Sequence, residues 1–162
     1  MPEQEDRIRT RLAQLPTTPG WIEAVGAWGP PAEPLDALEA VVDAAVARYA
    51  RGAHGQPTML VHAATAPAAV ARVLPHLPTS LHEQSVRAAW AATCAVVAAY
   101  RATGDLPDTA LEGRTADDLW QAALAHGGEH VIKLADTALA SAARTGNDDG
   151  LHATARALEL DA

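Results

Sequence analysis

Phenylalanine is absent from this chain, cysteine occurs once and lysine occurs once, although the chain carries 12 basic residues and 20 acidic ones. Each scarcity excludes something. A single cysteine, Cys94, excludes an internal disulfide; it lies in the apolar stretch AATCAVVAAY and reads as a buried structural thiol in a cytoplasmic protein. Aromatic residues make up only 4%, so the bulk of the 49% hydrophobic content is alanine, leucine and valine, with four tryptophans as the large groups. That mixture suits closely packed helices. Basic charge is short: a net charge of −8 and a pI near 5.2 exclude a phosphate-binding face and therefore nucleic acid as partner. No apolar run reaches the roughly 18 uncharged residues of a membrane span. The opening MPEQEDRIRTRL is charged and amphipathic, which is not the pattern of a signal peptide. Glycine-rich phosphate loops, nucleophile elbows and paired-cysteine metal motifs are also missing.

What is present is helix punctuation. A length of 162 residues and 16.8 kDa fits one helical domain over residues 1–162. Start and stop signals divide the chain into about seven helices, with no run of alternating polarity, so the fold class is all-α. Pro2 can open a charged helix over residues 1–15, placed at the periphery. Thr18 and Pro19 supply a cap and first-turn proline for GWIEAVGAWG. After the connector GPPAEP, Pro34 opens LDALEAVVDAAVARYARG, in which Leu38, Val41, Val42, Ala45 and Tyr49 share a helical face.

GAHGQPTMLVHAAT has the least helical character; Thr65 and Pro67 then start a short helix ending before Pro75, which leaves His62 on a loop. Ser80 and Glu83 have capping-box spacing and introduce the helix of Trp90 and Cys94, expected to be central and largely buried. Thr115 and Asp118 form a second box, and Gly127 and Gly128 stop the helix that follows. The next helix runs to about Arg144, before the turn TGNDDG and a last helix.

Candidate chemistry centres on the lone lysine in GGEHVIKLADTAL. His130 and Lys133 stand at i and i+3 and leave the same side of a helix. Glu129 and Asp136 flank the lysine, so one reading is a solvated face with weak ion pairs. The other is a lysine shielded from water: a neutral amine takes up carbon dioxide and becomes an anionic carbamate, which beside an imidazole makes a mixed N/O site suited to iron or manganese. Arginine could serve wherever only positive charge is needed, whereas only lysine can be neutral; this places Lys133 inward, toward the histidines. Among the seven histidines, His126 and His130 are separated by a glycine break, His76 and His82 read as surface or capping residues, and His54 and His152 carry no specific signal. Trp21, Trp28, Trp90 and Trp120 read as core, with an aromatic wall for a flat ligand as the alternative.

Two stretches, PTMLVHAATAPAAVARVLPHLP (57–78) and GEHVIKLADTAL (128–139), resemble the questin oxidase-like family. The first is similar to its apolar-His-x-x-Thr segment leading through a helix to Leu-Pro-x-Leu, and the second to its His-x-x-Lys-Leu helix. The resemblance spans about residues 35–145. It implies an all-helical, oxygen-using protein of aromatic polyketide metabolism, acting on anthraquinone-like rings. Some family members resemble non-heme iron enzymes holding their metal with histidines and a carboxylated lysine. Carried over, this nominates His62 and His130 as nitrogen ligands and a carboxylated Lys133 as the third. Family proteins are longer and contribute further histidines from an N-terminal half. The resemblance therefore leaves open a homodimer or a second subunit that supplies a missing half-site, a chain that has lost catalysis, and a self-contained site of three ligands.

Two functions are carried forward. One is a non-heme iron-dependent oxygenase, or a subunit of one, binding a small aromatic substrate. The other is a non-catalytic helical protein that binds a partner chain or a small apolar ligand.

Overall fold

Pro34 does what its position predicts: its fixed φ opens a helix and no hydrogen bond is lost at N1. The resulting helix α3 (Pro34–Gly52) buries Leu38, Val41, Val42, Ala45, Val46 and Tyr49 along one face. A computed structural model describes residues 8–29, 33–100 and 104–160, and over these the fold is all-α, with no strand. Two short helices, α1 (Ile8–Ala13) and α2 (Trp21–Gly26), precede α3. Then come α4 (Pro57–Val73), α5 (His82–Ala99), α6 (Ala116–His126), α7 (Glu129–Thr145) and α8 (Asp149–Leu160). The start of the expected N-terminal helix, residues 1–7, lies outside the described residues, as do 30–32 of the expected rigid connector.

The core is built where α3, α4, α7 and α8 meet. Val46, Tyr49, Val61, Ala64, Val131, Leu134, Ala138, Ala153 and Ala157 form one continuous buried cluster, each at most 1% exposed. Full burial of one such aliphatic side chain stabilises by about 1.5–3 kcal/mol. The alanines matter through size, because they let helix backbones approach. The extreme case is α7 against α8: a Cβ placed on Gly150 would stand 2.0 Å from the carbonyl oxygen of Ala138. Polar ties join the same helices. Ser141 of α7 donates to Asp43 of α3 at 2.6 Å, and Arg144 pairs with Asp43 as well.

The stretch from Gln56 departs from expectation. It is one continuous helix, opened by Pro57 at its N-terminus and carrying Pro67 inside it, so His62 is helical and not on a loop. An interior proline deprives the carbonyl four residues back of its donor, here that of Ala63. The buried Thr93 of α5 donates its hydroxyl to that carbonyl at 3.1 Å, and the helix continues through the proline.

Other boundaries differ at their caps. Gly20, in the left-handed region at φ 79°, precedes α2 in place of a Thr18 cap, and α5 starts at His82 after a 3-10 turn over Thr79–Leu81, without the Ser80–Glu83 box. The Thr115–Asp118 box is present in both directions, and Gly127 and Gly146 end α6 and α7 with positive φ. Helix α5 is not the central helix. It buries Val86, Ala89, Thr93 and Ala99 but leaves Trp90 and Cys94 partly exposed, because among the described residues its outer side meets just the short α1 and α2 and the 3-10 turn Leu15–Thr17 between them. The segment from Gly104 to Thr115 has no helix of its own. It is fastened by the buried Arg156, which donates to the carbonyls of Ala50 and Pro107, and by His152 Nδ1 against the Thr109 carbonyl at 2.8 Å.

Candidate functional site

Packing of α4 on α7 puts the two sequence stretches singled out above side by side. Val61 and Ala64 face the core from α4, as Val131 and Leu134 do from α7, and this fixes the rotation of both helices. The rotation brings His62 and His130 to the rim of the shared interface, each half-buried. Their rings meet edge to face, with centroids 5.3 Å apart and planes at 90°. Further along, Arg72 of α4 pairs with Asp136 of α7. One of the two acids expected to flank Lys133 thus serves the helix–helix contact.

Burial lowers the affinity of His62 for a proton; the positive potentials of His130 and Lys133 act in the same direction, and Glu129 opposes them. A neutral imidazole keeps a lone pair for a ligand. Glu129 is held below its ordinary range, first by the hydrogen bond from Lys133 and then by the charge of Lys133 and of His130. Four groups thus share one corner: His62, His130, Lys133 and Glu129.

Lys133 itself does not have the enclosed position expected of it. It leaves α7 on the side of His130, but 47% of its side chain is exposed and its ammonium is paired with Glu129 one turn earlier. The remaining histidines lie elsewhere. His54 and His76 are exposed, His82 Nε2 donates to the Leu77 carbonyl at 3.0 Å, and His126 Nδ1 accepts from the Gly128 amide at 3.1 Å.

In donor chemistry, two imidazoles beside a carboxylate suit a divalent ion of the iron, manganese or zinc type. With metal–nitrogen bonds of about 2.1 Å, two imidazoles on one ion have ring centres roughly 5 Å apart, close to the spacing of His62 and His130. As placed, however, no three His, Cys, Asp or Glu side chains among the described residues stand together closely enough to hold a metal. The fit therefore extends to the ring spacing alone: the edge-to-face arrangement does not aim both ring nitrogens at one point, so an imidazole has to rotate and an oxygen ligand to turn in before an ion is held.

A second feature was not legible in the sequence. A groove of about 490 Å³ opens between the α2 region and the outer sides of α3 and α5, lined by Gly20, Trp21, Arg48, Cys94 and Val97 among others. It continues along α3 past Trp90 to Trp28, whose rings lie 5.1 Å apart at 42°. Trp90 Nε1 is buried there without a hydrogen-bond partner. Neither α4 nor α7 lines this groove. The alanine-rich faces of α3 and α5 were visible in the sequence, but which of them would stay uncovered was not.

No family model, no curated protein and no solved structure matches this chain.

Proposed function

We propose that this chain is a non-heme iron-dependent oxygenase, or one subunit of such an enzyme, acting on a flat aromatic polyketide of the anthraquinone type. The observation that carries the reading is the meeting of His62 and His130 from two separate stretches, rings 5.3 Å apart, with the chain's single lysine at the same corner. His62 and His130 would hold the ion, with a third, oxygen ligand from the Glu129–Lys133 pair, where a carboxylated Lys133 is the form implied by the family resemblance. A bound iron would supply the redox chemistry toward dioxygen. The chain's own residues set the conditions for it: burial keeps His62 neutral, and the packing of Val61 and Val131 fixes where both imidazoles stand. Two nitrogens with one oxygen leave room for ligands from another polypeptide, so a homodimer or a second subunit completes the centre in this reading.

The test is metal content. Purified protein loaded anaerobically with Fe(II) should retain iron in proportion to chain, and His62→Ala and His130→Ala should each lose it. Dioxygen uptake with hydroxylated anthraquinones then reads the activity. A chain that retains no iron under these conditions has no such centre.

The groove beside Trp21 and Cys94 supports a second reading, a non-catalytic protein that binds a small apolar ligand or a partner chain. Its volume lies within the range of small-molecule sites. Saturable binding of a hydrophobic fluorophore by a metal-free protein, quenched by substitution of Trp21, would favour it.

A further inference from the structure

The groove bordered by α2, α3 and α5 carries a charge where its two parts join. Helices α3 and α5 face each other across it with one stripe apiece: Val41, Ala44 and Arg48, spaced i, i+3 and i+7, against Trp90, Cys94 and Val97, spaced i, i+4 and i+7. Arg48 lines the wide part beside Trp21 as well as the narrow part beside Trp90. It is the one charged side chain among the described residues that line either part. Its guanidinium lies against Gly52, where a Cβ would stand 2.9 Å from Cζ, so the missing side chain leaves it room. Asp105 accepts from Arg48 Nη1 at 2.6 Å and takes one of the five N–H groups of the guanidinium. The two side chains are 30% and 57% exposed, which makes this a weak surface pair that yields to a competing anion. The hydroxyls of Thr18 and Thr93 in the same walls already donate, to the carbonyls of Gln14 and Ala63.

Resting on the reading of this groove as a small-molecule site, we propose that its ligand is a monocarboxylic acid with an apolar, ring-sized body. The carboxylate sits on the Arg48 guanidinium and the body lies along Trp21, Cys94 and Val97. Charge decides the class. A neutral apolar ligand filling the groove would strip water from the guanidinium and return no hydrogen bond, and a cation would be repelled. A carboxylate returns charge-assisted hydrogen bonds, and its two oxygens match the fork of a guanidinium. A phosphate carries more negative charge than one guanidinium offsets, in a chain whose net charge is already −8. The groove volume of about 490 Å³ suits a body of this size.

An acid and its neutral amide separate charge from shape. Naphthoate and naphthamide are titrated into the purified protein at neutral pH, and their affinities are read by calorimetry and tryptophan fluorescence. Naphthoate should bind about tenfold more tightly than naphthamide, the scale of a hydrogen bond to a charged group. Arg48→Gln should erase that preference, weakening the acid by about tenfold and leaving the amide within about threefold of the parent. Asp105→Asn removes the competing carboxylate and should widen the preference. Both side chains are partly exposed, and circular dichroism confirms the helical fold of each variant. An acid that binds no better than its amide overturns the inference and leaves the groove standing as an apolar site. A preference that survives Arg48→Gln, or that does not widen in Asp105→Asn, overturns it as well, because the acid then sits away from Arg48. Binding of neither compound overturns both the inference and the groove reading beneath it.

Discussion

Gly150 of α8 lies so close to Ala138 of α7 that any side chain would strike the backbone: the Cβ would be 2.0 Å from the Ala138 carbonyl oxygen and 2.9 Å from the Ala142 methyl. Both Gly150 and Ala138 are buried, so neither helix can move aside cheaply. In an exposed helix, Gly→Ala stabilises by about 1 kcal/mol. Here the sign should reverse, and Gly150→Ala should destabilise by about 3 kcal/mol, the upper range of overpacking. Chemical denaturation measures it; a stabilised variant would show that α7 and α8 are not this close.

Asp43 should behave as the polar tie between α3 and α7. It accepts from Ser141 at 2.6 Å and pairs with Arg144, while Ser141 is 3% exposed. Asp43→Ala strands the buried Ser141 hydroxyl and should cost about 1–3 kcal/mol. Removing the hydroxyl as well, in Asp43→Ala with Ser141→Ala, should cost less than the sum of the two single changes. Strict additivity across that cycle would mean the two residues do not interact.

The α6 cap should give acid sensitivity at one helix end. Asp118 accepts from the Thr115 hydroxyl and amide, and these bonds lower its proton affinity below the ordinary value of 3.8. A carboxylate depressed in the folded state contributes stability that is present above its unfolded pKa and lost as pH falls through the folded one. Protection of the first-turn amides of α6, taken relative to their intrinsic exchange rate at each pH, should therefore fall below pH 3.8, and Asp118→Asn should remove that dependence. Thr115→Ala should cost about 1 kcal/mol at neutral pH by loss of the N-cap. A first turn whose exchange is the same in the parent and in Asp118→Asn at acid pH would contradict this.

Cys94 lines the groove yet should be a slow nucleophile. Burial raises its pKa, so the thiolate is scarce at neutral pH. Alkylation by iodoacetamide should be slower than for a small free thiol at pH 7.5 and should rise steeply in alkaline solution. Reaction at the free-thiol rate would show that the sulfur is not desolvated.

The sequence by itself determined the fold class and most helix ends, because those depend on local chemistry. Pro34 has no amide to lose, Thr115 and Asp118 satisfy each other's backbone amides, and Gly127 and Gly146 accept the left-handed conformation at a helix stop. The same local rules also produced the errors. Pro67 reads as a helix start when the carbonyl it orphans has no other donor; that donor is Thr93, on a different helix, so only tertiary packing carries α4 through the proline and puts His62 on a helix. Likewise, an apolar segment looks central when its neighbours are unknown, and α5 turned out to have just one well-covered side.

At the candidate site, spacing put His130 and Lys133 on one side of a helix, with Glu129 as a flanking acid. The rotation of α4 against α7, set by Val61, Ala64, Val131 and Leu134, decided that His62 joins them. Spacing could not decide between an enclosed lysine and an ion-paired one, since i+4 reach to Glu129 and i+3 reach to His130 are both open to a long flexible side chain. In the folded chain Lys133 pairs with Glu129, because at the half-exposed rim of two helices its side chain stays 47% exposed and within reach of that carboxylate.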